Sequence, residues 1–233
     1  MSLCVLDEDK FHLCCQLLLQ LSEQLGDGWS WEGGQEGYLR KNALRSVVID
    51  SSSVWDYEGG GADTSCPSRS EQQEGEQEQA AVDDMEDEDD GVCVASAGSS
   101  QLLQYEYHIL HSCSYSTPVL YFRACTQEGR SLSLEEVWSS VHPNYRLRLQ
   151  NSPLNTITLQ EHPLLGQPFF MLHPCRTEEF MRPVLQAAQD QHRTVNYVLS
   201  WLSVVGPVVG LDVPLKYSTL LHPAAPPGST EPG

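Results

Sequence analysis

The stretch QYEYHILHSCSYSTPVLYFRACT, residues 104–126, decides the fold. Tyr105, Tyr107, Ile109, His111 and Cys113 alternate with Glu106, His108 and Leu110, the period of two that sends successive side chains to opposite faces of a strand. After Ser114-Tyr115-Ser116 comes a second aromatic and β-branched run, Thr117 to Thr126. Two such runs joined by a few turn-forming residues predict an antiparallel hairpin.

Downstream, Gly129-Arg130 reads as a turn, and Ser133-Leu134-Glu135-Glu136 has the form of a capping box. It opens an expected helix over Val137, Trp138 and Val141 that stops near Pro143. Residues 151–175 carry Pro153, Pro163, Pro168 and Pro174, a density that excludes helix interiors and central strands, so they read as loop around one buried run, Phe169 to Leu172. Thr177 is the expected N-cap of a helix with Glu178 and Glu179 in its first turn and Phe180, Met181, Val184, Leu185 and Ala188 along one face. A last helix is expected over Thr194 to Val205, ended by Gly206-Pro207.

Upstream, Phe11, Cys14, Cys15, Leu18, Leu21 and Leu25 recur at helical spacing, which predicts an amphipathic helix over residues 7–25 with Asp7, Glu8 and Asp9 at its start and Gly26 at its end. Trp29, Trp31 and Gly33-Gly34 then predict a short strand and turn, followed by a strand within Tyr38 to Ile49. The order of elements is an α+β pattern: N-terminal helix, antiparallel sheet, C-terminal helices. The expected organisation is a single domain over residues 1–222, interrupted by a disordered acidic insertion at 51–101 and followed by a disordered tail at 223–233.

Composition supports that division. The chain has 233 residues, 40% of them hydrophobic, enough for a substantial core, and a formal net charge of -19. Between Asp56 and Asp90 there are 14 acids and one base, Arg69, so -13 of the charge sits in that segment and the rest of the chain carries only -6. Such a segment has too few apolar residues to offset the entropy of ordering. Nucleic-acid binding is disfavoured, because no cluster of Lys and Arg appears that would neutralise phosphates. No apolar run approaches the length of a membrane span. Met1 to Lys10 lacks a basic n-region, so a cytoplasmic protein with reduced thiols is expected. The eight cysteines do not read as a disulfide scaffold, since Cys14 and Cys15 are adjacent and the chain is large.

Among candidate sites, His173-Pro174-Cys175 carries the most chemistry. It lies where an extended apolar run ends and a helix is expected to begin, so the positive end of the helix dipole and the Arg176 cation both favour a Cys175 thiolate, partly opposed by Glu178 and Glu179. Most cysteines are simply small buried apolar residues, and that reading stands beside the reactive one. A thiol hydrolase using His173 or another histidine as base also stays open. A zinc site at His108, His111 and Cys113 is disfavoured, because His108 points away from the other two on a strand and no Cys-x-x-Cys pair is present. Gly59-Gly60-Gly61 lies among acids without a lysine, the wrong electrostatics for a phosphate loop.

As a group, several motifs resemble the autophagy ubiquitin-like-conjugating enzymes: Tyr105-Glu106-Tyr107-His108, Ser112-Cys113-Ser114-Tyr115, Pro118 to Arg123, Glu161-His162-Pro163, Gly166 to Phe170, His173-Pro174-Cys175, and Asn196-Tyr197 with Ser200-Trp201-Leu202-Ser203. They fall in the same order over about residues 104–217, with a weaker echo in 7–49. The resemblance implies a ubiquitin-conjugating-enzyme-like fold and a catalytic cysteine, Cys175, that carries a modifier as a glycyl thioester without metal or organic cofactor. It further implies autophagy-related protein twelve as modifier, autophagy-related protein seven as activating enzyme, a lysine of autophagy-related protein five as acceptor, and contact with a lipid-conjugated modifier of the light-chain-three type. A sister branch, autophagy-related protein three, shares His-Pro-Cys and transfers to phosphatidylethanolamine; residues Trp201 to Leu215 resemble the protein-acceptor branch. A non-catalytic adaptor of the same fold is the remaining alternative.

Ordinary ubiquitin-conjugating enzymes place an Asn of a His-Pro-Asn motif beside the cysteine to stabilise the oxyanion. Here Cys fills the third position of the triplet, so Asn155 or Thr156 is expected to supply the donor, with His173 structural.

Overall fold

The computed structural model describes residues 4–48, 100–142, 144–146 and 156–221. The first helix, α1 (Glu8–Leu25), starts where the Asp7 carboxylate accepts the Lys10 N–H at 2.8 Å and ends at Gly26, whose φ of 65° is left-handed. Strands β1 (Ser30–Glu32), β2 (Tyr38–Val48), β3 (Ser100–Ser112) and β4 (Thr117–Thr126) follow, then α2 (Leu134–Ser140), in which both halves of the capping box form between Ser133 and Glu136. After β5 (Ile157–Glu161) and β6 (Pro168–Leu172), a 3-10 turn at Pro174–Arg176 leads into α3 (Thr177–Asp190), then α4 (Tyr197–Val205), a second 3-10 turn at Gly206–Val209, and α5 (Lys216–Leu221).

Among the described residues the six strands form one antiparallel sheet in the order β1-β2-β3-β4-β6-β5. Tyr105, Tyr107, Ile109, Leu120 and Phe122 are buried on one face, in one core with Phe11 and Leu18 of α1 and Trp201 and Leu202 of α4. The expected α+β architecture is therefore found, and the 104–126 hairpin pairs in register from Leu103↔Thr126 to Ser112↔Thr117.

Four boundaries differ from the sequence reading. Ser100 and Gln101, counted there with the insertion, belong to β3 because β2 is long enough to pair with them through Val48↔Ser100 and Val47↔Gln101. The described part of the proline-rich stretch is a hairpin rather than a loop. Pro168 is the first residue of β6 and Pro163 lies in the turn, so neither interrupts the ladder from Ile157↔Leu172 to Glu161↔Pro168. α4 begins at Tyr197 rather than Thr194, because the Asn196 side chain accepts the Leu199 N–H at 2.9 Å and caps the helix there. Thr177 is the first residue of α3 and not its cap, since the chain already turns at Pro174. Residues 51–99 and 222–233 lie outside the described residues.

The strand order sets the site. β4 lies between β3 and β6, and the antiparallel register Leu120↔Leu172 brings the start of β4 beside the end of β6. The β3–β4 turn, Cys113 to Ser116, and the His173-Pro174-Cys175 triplet thus meet at one end of the sheet.

Candidate active site

His173 continues the β6 ladder for one more step, donating its N–H to the Thr156 carbonyl at 2.8 Å. Its extended backbone (φ -67°, ψ 130°) then carries the chain into the 3-10 turn. Pro174 is buried at the first position of that turn, where a missing N–H costs nothing. Cys175 is exposed, two residues before the 14-residue α3, at its electropositive end.

His173 is a cap. Its Nδ1 accepts the Cys175 N–H at 3.1 Å, which fixes the tautomer with hydrogen on Nε2. That Nε2–H donates to the Tyr115 hydroxyl at 3.3 Å, and the two rings meet edge to face with centroids 5.4 Å apart. With both nitrogens engaged, His173 orients the turn and has no lone pair left to deprotonate Cys175.

The Arg176 cation is engaged as well. Its guanidinium makes two 2.8 Å bonds to Glu179, which hold the Glu179 carboxyl below the usual carboxylate range, and Arg182 pairs with Glu178 one turn on. Each of the two bases near the triplet is thus paired with an acid, which offsets part of the Arg176 charge that stands beside Cys175 together with the helix end.

Of the helpers read from the sequence, Thr156 is beside His173 through its main chain, while Asn155 lies outside the described residues. Tyr115 was missed. A lone aromatic in a hairpin turn carries no chemical signature in sequence, and only the placement of β4 between β3 and β6 brings it to His173.

The residues weighed for zinc lie apart. His111 donates Nε2–H to the Leu6 carbonyl at 2.8 Å, while His108 is buried among Tyr38, Phe169 and His162. Among the described residues no group of three His, Cys, Asp or Glu is placed to hold a metal. His108 belongs to a hydrogen-bond chain whose tautomers follow from its ends. The Leu164 and Leu165 N–H groups donate to Nδ1 of His162, whose Nε2–H donates to Nδ1 of His108 at 3.1 Å; the Nε2–H of His108 then donates to Glu106, which Arg40 and Arg123 also bind. Burial outweighs the Glu106 charge and pushes His108 down to about 4.

An antiparallel sheet packed with helices, and an exposed cysteine on a capped turn before a long helix, make up the α+β fold of the ubiquitin-conjugating type with a thiol at its surface. The family model described as autophagocytosis associated protein, active-site domain, matches residues 10–216, and the chain belongs to that family of ubiquitin-like-conjugating enzymes. The chain is 43% identical over 216 residues, 91% of each chain, to the ubiquitin-like-conjugating enzyme ATG10 of Homo sapiens. Against the ATG10 of Arabidopsis thaliana it is 33% identical over 203 residues, covering 81% of this chain and 82% of the other. Autophagy-related protein 3 of Dictyostelium discoideum is 25% identical over 121 residues, 49% of this chain and 34% of that protein.

Proposed function

We propose that Cys175 carries the C-terminal glycyl group of a ubiquitin-like modifier as a thioester. The Cys175 thiolate attacks the carbonyl of the modifier's thioester on the activating enzyme, and the activating enzyme's thiolate leaves. A neutral lysine amine of the acceptor then attacks the same carbonyl; Cys175 thiolate leaves and the amine's proton passes to solvent, giving an isopeptide bond. The developing oxyanion needs a donor near Cys175. Asn155 and Thr156 remain the proposed side-chain donors, with the Tyr115 hydroxyl, whose lone pair is taken by His173, a further one.

The observation that carries this reading is an exposed thiol on a turn whose own amide is tied to His173, at the N-terminus of a long helix. The implied partners are autophagy-related protein seven as source, autophagy-related protein twelve as modifier and a lysine of autophagy-related protein five as acceptor, with a lipid-conjugated modifier as a further contact. The extent of the ATG10 matches, against half the chain for autophagy-related protein 3, supports the protein-acceptor branch over lipid transfer. A reactive free thiol suits a reducing compartment, the cytoplasm; among the described residues no helix is long and apolar enough to cross a membrane. The domain reading of residues 1–222 goes with this function, the insertion, now ending before Ser100, being peripheral to it.

The test is incubation with the activating enzyme, ATP and candidate modifiers. A reductant-sensitive adduct that Cys175→Ala cannot form, and a reductant-resistant ester on Cys175→Ser, are expected. No adduct with any modifier would favour the adaptor.

A further inference from the structure

Resting on the acyl-carrier reading of Cys175, we propose that the segment Cys4–Leu6, which precedes α1, is a brace that positions Tyr115, and through it His173 and the Cys175 turn, for acyl transfer. Tyr115 stands half-exposed on a four-residue turn whose last member, Ser116, has φ 49°. A non-glycine residue in that left-handed region is unfavourable and persists only where surrounding structure holds it.

The holding group is the Leu6 N–H, which donates to the Ser116 carbonyl at 2.9 Å. Leu6 is itself buried, and its carbonyl accepts the Nε2–H of His111 at 2.8 Å. Two residues earlier, the Cys4 carbonyl accepts the Tyr197 hydroxyl of α4 at 3.0 Å, and the Cys4 thiol reaches the Glu178 carbonyl in the first turn of α3 at 4.0 Å. One short strand of chain thus ties together the turn that presents Tyr115 and the helix that begins just after Cys175. No other described contact is needed to run from Tyr197 to the thiol: Tyr197 holds Cys4, Leu6 holds Ser116, Tyr115 holds His173, and His173 holds the Cys175 amide.

The side chains of His111 and Tyr197 are therefore positioning residues, acting through Tyr115 by their bonds to Leu6 and Cys4. Loss of one positioning hydrogen bond is expected to slow transfer by about 2-fold to 10-fold, the range one such bond carries.

The experiment compares His111→Leu, His111→Gln and Tyr197→Phe, each with Tyr115 intact and in a Tyr115→Ala background. Two quantities are read: nuclear Overhauser contacts between the Tyr115 and His173 rings in the uncharged protein, and single-turnover discharge to free lysine from equal amounts of preloaded autophagy-related protein twelve thioester. His111→Leu and Tyr197→Phe should weaken the ring contacts and slow discharge, whereas His111→Gln, which keeps an N–H donor, should restore both. With Tyr115→Ala the brace variants should slow discharge no further. Unchanged ring contacts, or equal slowing in the Tyr115→Ala background, would overturn the brace. Should wild-type protein form no Cys175 adduct, the acyl-carrier reading fails, and the ring contacts still decide the brace. If His111→Leu does not fold, replacing Leu6 by its α-hydroxy acid, through ligation of a synthetic 1–13 segment onto Cys14, removes the one N–H and gives the same two readouts.

Discussion

The backbone N–H of Cys175 donates to Nδ1 of His173 at 3.1 Å across a single proline. This bond makes the triplet a unit: the histidine caps, the proline starts the turn, and the cysteine is left with its thiol outward. His173→Ala removes the acceptor and frees the cysteine amide, and about a tenfold loss in the rate of thioester formation is expected, the order of one charge-free cap. His173→Asn keeps a side-chain oxygen that can accept the same N–H, so it should retain most of the rate. An Asn variant as slow as Ala would show that the ring contact with Tyr115 matters more than the cap.

Asn155 is the proposed donor to the oxyanion formed when an amine attacks the thioester. Asn155→Ala should slow discharge to lysine by about 10²-fold, the scale for losing one such donor, while thioester loading stays near wild type. Discharge at the wild-type rate would take Asn155 out of this role.

Much of this architecture was legible before the structure because the sheet's pattern is local. Alternation over 104–126 needs only adjacent residues, and the capping box at Ser133 and Glu136 closes within one helical turn. The β5–β6 hairpin was hidden because its prolines sit at a strand start and in a turn, positions where proline does no harm but which composition alone cannot distinguish from loop. Cys175 was singled out by its triplet and the expected helix after it. Tyr115 was not, because its role depends on β6 entering the sheet next to β4, a pairing between residues about 50 positions apart that no short-range pattern encodes. The opposition of Glu179 to the Arg176 cation was legible from their spacing; the helix adds the direct pairing of the two side chains at 2.8 Å.

The His162–His108–Glu106 chain makes stability depend on pH. His108 is held neutral in the folded protein, at about 4, against an ordinary value near 6.5, and burial lowers His162 too. Between these limits the unfolded chain binds the proton that the folded protein refuses, so stability is full above about pH 6.5 and falls as pH drops toward 4, by about 1.4 kcal/mol per unit for one such group. Urea midpoints measured from pH 7 to pH 4.5 should fall accordingly. His108→Gln should flatten the slope in this window, though at a lower absolute stability; an unaltered slope would assign the pH dependence to other groups.

Residues 56–90 carry -13 of the chain's -19, and their removal leaves -6. They are remote in sequence from Cys175, and the site itself is locally neutral, with Arg176 and Arg182 answered by Glu179 and Glu178. The acidic segment is therefore expected to act at long range, drawing a basic partner toward the enzyme through a field that salt screens over about 10 Å at 0.1 M. Deleting residues 56–90 should leave the melting transition and the Cys175 adduct intact. It should also weaken the salt dependence of association with a basic partner while changing the dissociation rate little, because steering acts on encounter. Stopped-flow association rates for the full chain and the deletion, compared at 20 mM and 300 mM salt, decide the point. Loss of folding or of the adduct would place the segment inside the working domain, and an unchanged salt dependence would move the steering charge to the folded surface.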